Sequence, residues 1–207
     1  MARRFLIQTG GVLTSVMLML GIATAAEQQQ LKNNSPAHHF LTEAAQGSVA
    51  EVTLGKMAAE KGENAAVKDF GNRMVRDHSK AIEEAKVLAT TAGVPLPTEM
   101  SEEAKALQQR LNNLAGVEFD RAYMDEMVND HKKDIAAFEK QAEDGQNAQV
   151  KEWAKKMLPT LKEHLNLAQS AEKRVSARNR TEMDASGGMR ADVDDIQGSQ
   201  GQTKEDR

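Results

Sequence analysis

Four stretches of apolar residues at helical spacing, separated by two very short breaks and one long one, set the tightest limit on how this chain can fold. The first begins at Ser35-Pro36, since serine is a favoured N-cap and proline is tolerated in a first turn, and it stops before Gly62. The second runs from about Asn64 to Gly93, where "AGVPLP" breaks it. The third starts near Gly116 and ends at "EDGQN" (143–147), and the fourth follows from Asn147 to Ser176. Breaks of a few residues make the first two helices one antiparallel hairpin and the last two another. The connection from Gly93 to Gly116 is about 24 residues long and holds a short amphipathic piece, "EEAKALQQRLNNL".

Composition agrees with an all-α fold. Aromatic residues make up only 3% of the 207-residue chain, and Ala, Leu, Met, Glu, Lys and Gln, which favour helix, dominate. Two hairpins joined by a long crossover is the wiring of a ferritin-like four-helix bundle, with the short extra helix in the crossover and the second and third helices parallel. An up-down bundle with a bulky central loop fits the same break lengths.

The ends read differently from the middle. Arg3 and Arg4 precede the apolar run "FLIQTGGVLTSVMLMLGIATAA", which closes on Ala23-Thr24-Ala25, so residues 1–25 are expected to be a cleaved export signal. The same run could just span a bilayer as a retained anchor, but Gln8 and Gly10-Gly11 weaken that reading. Residues 26–34 form a polar spacer, 35–175 the bundle, and 176–207 a charged tail with no aromatic residue, expected to be disordered. The chain has no cysteine, hence no disulfide, thiolate chemistry or lipoprotein anchor. Its net charge of −4 becomes −6 once the two N-terminal arginines are removed, which argues against nucleic acid as a partner. The expected location is the periplasm or the outer membrane.

The motif that bears on chemistry occurs twice. Met74–Ile82 reads "MVRDHSKAI" and Met127–Ile135 reads "MVNDHKKDI", identical at six of nine positions. In each, the histidine falls on the apolar stripe: Phe70, Met74, His78, Ile82 in one, and Met124, Met127, His131, Ile135 in the other. The fourth helix repeats the arrangement with Leu161, His164 and Ala168, and the first places Glu51 between Gly47 and Leu54. These four residues lie about 14–17 positions from their helix starts, within roughly 5 Å of one another in height. Glu51, His78, His131 and His164 therefore share a mid-bundle layer, the place where bundles build metal sites.

Two readings of that layer stay open. One is a mononuclear site for zinc, iron or copper, a divalent or cuprous ion, with Met74 and Met127 available as soft ligands. The other is a structural polar layer whose groups bond one another and fix register. Three neighbouring imidazoles would also repel when protonated, so the core is expected to loosen as pH falls through about 6. Asp77 and Asp130 stand beside their histidines, either supporting a neighbouring helix's imidazole or pairing with Arg73, Lys80 or Lys133 on the flank. Tyr123 lies two turns before His131 and could bond into the layer. Pro159 removes a backbone bond from the fourth helix, kinking it or marking the start of a separate one.

The segments "FLTEAAQGSVAEVTLGKMAAEK", "RMVRDHSKA", "FDRAYMDEMVNDHKKDIAAFEKQA" and "LPTLKEHLNLA" resemble the exported bacterial family known as domain of unknown function 4142. The resemblance covers about Ala37 to Ala171 and implies a ferritin-like fold, with members labelled outer-membrane or periplasmic proteins. It implies no activity. The sequence departs from the di-iron pattern of that superfamily, because Val75, Val128 and Leu161, not glutamates, stand three residues before the histidines. Iron storage is therefore not expected. No nucleophile–base pair, phosphate loop or basic face is present, so nothing beyond a metal argues for an enzyme. A non-catalytic envelope module with a protein partner is the alternative function; the oligomeric state is not legible.

Overall fold

The computed structural model describes residues 35–93 and 95–197, and everything described is helix or connection, with no strand. The expected signal (1–25) and spacer (26–34) lie outside the described residues. Five helices follow in order: α1 (Pro36–Lys61), α2 (Ala65–Ala92), α3 (Glu102–Asn112), α4 (Gly116–Asp144) and α5 (Ala148–Gln197). Among the described residues no helix is long and apolar enough to cross a membrane.

Local chemistry explains the boundaries. The Ser35, Asn64 and Ser101 side chains accept from His38, Ala66 and Ala104 N–H, capping α1, α2 and α3. Gly93 ends α2 at φ 69° and Gly116 opens α4 at φ 56°, left-handed conformations that favour glycine. The N-terminus of α2 has a second anchor. The buried Asp120 carboxylate of α4 accepts from the N–H groups of Glu63 (3.0 Å) and Asn64 (2.7 Å), placing an anion at the positive end of a helix. Lys61 likewise donates to the Leu111 and Asn112 carbonyls at the end of α3.

Packing fixes direction. α1 lies against α2 and α4 against α5, and the pairs meet through α1–α4 and α2–α5. One apolar cluster joins the end of α1 (Ala58), the starts of α2 (Val67, Phe70) and α4 (Phe119, Tyr123), and Ala168, Ala171 and Val175 of α5. The other joins the start of α1 (Phe40, Leu41) and Ala85 late in α2 to the end of α4 (Phe138, Ala142) and the start of α5 (Val150, Trp153). Hence α2 and α4 run parallel, and the connection carrying α3 crosses the length of the molecule. Between the clusters lies the polar layer.

One expectation changes. α5 passes through Pro159 without ending, so no separate helix starts there. Proline deletes only the bond to the Lys155 carbonyl, on an exposed face where water can replace it. The described part of this helix runs on past Ser176 to Gln197. Helical bonds are local and do not need a core; none of the described side chains beyond Val175 is buried.

The hairpin α1–α2 closes unusually tightly at Gly55 and Gly71. A Cβ on Gly71 would stand 2.5 Å from the Gly55 carbonyl oxygen, and one on Gly55 would stand 2.7 Å from that of Gly71. Backbone cannot yield as a side-chain tip can. Gly71→Ala is expected to cost about 3 kcal/mol of stability in urea unfolding, at the upper end of overpacking penalties. A loss below about 0.5 kcal/mol would contradict this crossing geometry.

Candidate metal centre

Each helix of the bundle contributes to the layer because its apolar stripe is interrupted once. His78 follows Met74 on α2, His131 follows Met127 on α4, and His164 lies between Leu161 and Ala168 on α5. All three are buried, at 4%, 0% and 1% exposure. One ring nitrogen from each comes within 4.8 Å of the others, and the ring centroids are 5.4–5.9 Å apart. Among the described residues this is the one group of three His, Asp or Glu side chains whose ligand atoms converge in this way.

One nitrogen of each ring is held by a partner. His131 Nδ1 lies 2.9 Å from the Met127 carbonyl, which can only accept, so that nitrogen carries the proton and Nε2 keeps its lone pair. His164 Nε2 lies 3.0 Å from the Asp77 carboxylate, which by the same reasoning leaves the lone pair on Nδ1. His78 Nδ1 meets the Ser48 hydroxyl of α1 at 3.4 Å. The nitrogens left over, His78 Nε2, His131 Nε2 and His164 Nδ1, are buried without a protein partner. The Met127 carbonyl and the Asp77 carboxylate thus fix two of the three tautomers, whereas the Ser48 hydroxyl can donate or accept; partners that fix a tautomer are the usual support of imidazole ligands.

Electrostatics keep the rings neutral. Burial, and then the other two imidazoles, push His78 well below its ordinary value. Burial lowers His131 to about 4, against the raising effect of the Met127 carbonyl. Burial lowers His164 too, partly offset by Asp77. Asp77 is itself partly buried, which raises it, but bonds from His164 and Arg73 prevail and hold it at about 2. Neutral imidazole is the metal-binding form.

The other residues singled out in the sequence divide. Asp77 bonds His164 while pairing with Arg73 and Arg76. Asp130 is on the flank, paired with Lys133 at 3.3 Å and not bonded to a histidine. Glu51 is in the layer, 4% exposed, with Oε1 3.8 Å from His131 Nδ1, the nitrogen already engaged by Met127. It stands beside the converging set, outside it. Burial and then Asp134 and Asp130 raise Glu51 well above the carboxylate range, so its contact with neutral His131 is not an ion pair. Tyr123 is buried with an unpartnered hydroxyl, raised by burial and by Glu51. Met74 and Met127 belong to the adjoining apolar cluster. Ser48 went unread in the sequence; a small hydroxyl one turn before Glu51 was the only signal.

No curated protein and no solved structure matches the chain. A family model does match, over residues 22–171, and includes every residue of the histidine layer. The chain belongs to the family described as "Domain of unknown function (DUF4142)".

Proposed function

We propose that the protein is an exported, ferritin-like helical bundle that binds one transition-metal ion through His78, His131 and His164. The observation that carries this reading is the convergence of three buried, neutral imidazoles, each with one nitrogen bonded to a partner and one buried without any. Left empty, the inner nitrogens each cost roughly 1–3 kcal/mol as unsatisfied buried groups. An ion would satisfy all three at once. Three nitrogens on a tetrahedral ion stand about 3.4 Å apart, so closing from the present spacing needs each ring to move by less than about 1 Å. Imidazole nitrogen suits zinc, copper or iron, and three protein ligands leave a fourth position for water or another donor. The parallel α2 and α4 and the crossover carrying α3 support the ferritin-like assignment, and Arg3-Arg4 with the apolar run supports export to the envelope. With no carboxylate in the converging set among the described residues, a di-iron storage centre is not supported.

The second reading, a structural layer in an envelope module, draws on bonds that tie helices together: Ser48 of α1 to His78 of α2, and Asp77 of α2 to His164 of α5. Elemental analysis of tag-free protein purified without chelator separates the two. One equivalent of metal is expected, falling below a tenth of an equivalent in His78→Ala/His131→Ala. A metal-free wild type that also takes up no added zinc, copper or iron would leave only the structural reading.

A further inference from the structure

A cleft of about 260 Å³ opens between α1, α3 and α4, where the crossover helix lies along the α1–α4 seam. Its walls include Gly47 and Glu51 of α1, Glu103 of α3, and Glu126, Asp130 and Asp134 of α4. Five carboxyl groups thus share the cleft with one lysine, Lys133, which is engaged by Asp130. Glu126 is matched by Arg110 on the outside. The start of α3 brings a partial positive charge, but Glu102 and Glu103 in its first turn offset it.

Acidic walls alone are ordinary. The inner end of this cleft is not. Glu51 lines it while 96% of its surface is buried, and its Oε2 has no partner in the protein. Its other oxygen touches His131, so a single side chain bridges the cleft and the histidine layer. Gly47, one turn earlier, lies in the middle of a helix, where glycine costs about 1 kcal/mol relative to alanine, yet nothing lies within 4 Å of where its Cβ would be. The missing side chain keeps the cleft open. Crowding among the carboxyls is visible in Asp134, raised to about 7 by burial and by Asp130.

We infer that this cleft is the port through which a divalent cation reaches the three-histidine centre, drawn by Asp130 and Asp134 and passed inward by the free oxygen of Glu51. The inference rests on the metal-centre reading above. Because no three carboxylates of the cleft converge as the histidines do, the port is a funnel and not a second resting site. A low-dielectric cleft lined mainly by acidic side chains raises cation association rates by about tenfold or more, with a steep dependence on ionic strength.

Cobalt(II) is a suitable probe, since its visible absorption reports nitrogen ligation in stopped flow. Asp130→Asn/Asp134→Asn should bind one cobalt with the same final spectrum as wild type, about tenfold more slowly and with a flattened salt dependence. Gly47→Leu, which plugs the cleft without altering charge, should slow uptake and chelator-driven release together by about tenfold. Rates within twofold of wild type in both variants would overturn the port while leaving the centre intact. A wild type that takes up no cobalt would overturn the centre and the port with it.

Discussion

In the absence of metal, wild-type protein should lose about 3 kcal/mol of stability relative to its His131→Leu variant as pH falls from 6.5 to 4. The sign follows from proton binding. His131 titrates at about 4 in the fold, because it is buried, and near 6.5 when exposed. Between those values the unfolded chain holds a proton that the folded one does not, so stability falls with falling pH. The interval is 2.5 pH units, about 3 kcal/mol at roughly 1.4 kcal/mol per unit. His78 and His164 are lowered as well and destabilise both proteins as pH falls, which largely cancels in their difference. Glu51 and Asp134 oppose it, for they are raised in the fold and lose stability as pH rises. Asp77, held at about 2, is lost only below the ordinary carboxyl value of 3.8 and falls outside the window. Arg73, which faces His164, keeps its charge throughout this range. Because these groups overlap, the informative quantity is the difference between wild type and His131→Leu in urea unfolding at pH 7, 5.5 and 4. A difference that does not change with pH would refute a neutral, buried His131.

How much of this is visible in the sequence depends on whether a feature is set within one helix or between helices. That His78, His131 and His164 face inward follows from their own apolar neighbours, and that they share a level follows from counting residues from each helix start. The unequal connections allow both a crossover and an up-down course, and only the packing of helix starts against starts and ends against ends makes α2 and α4 parallel. What each ring bonds does not follow. Ser48 lies off the stripe traced for α1, and it meets His78 only because Gly55 and Gly71 let the two helices approach closely. The side of the layer taken by Glu51 depends on how far α1 is rotated about its axis, which periodicity fixes only to within a side chain's width. Asp120 looks like one more charge in "FDRAY", and its role as an anchor for α2 exists only in the folded bundle.

The largest effect is expected from apolar replacement of the layer. His78→Leu/His131→Leu should be more stable than metal-free wild type by about 2–4 kcal/mol at pH 7, since buried polar groups replaced together by well-packed apolar ones often yield gains of this size. The new side chains would join Leu54, Met74, Met127 and Leu161, all buried around them. The Met127 carbonyl keeps its place in the helix, and Ser48 can turn its hydroxyl to a carbonyl of α1. Added zinc should reverse the order. At one thousand times its dissociation constant an ion stabilises the wild type by about 4.1 kcal/mol, more than that gap, and the variant, with one imidazole left, should not respond. Thermal melts of both proteins, stripped and zinc-loaded, give the four numbers required. If the stripped variant melts below stripped wild type and zinc moves neither, the layer is a connected structural network and the metal centre is wrong. If the order crosses, the buried imidazoles lower the stability of the empty protein and raise that of the loaded one. That is the behaviour of groups placed for a ligand and not for the fold.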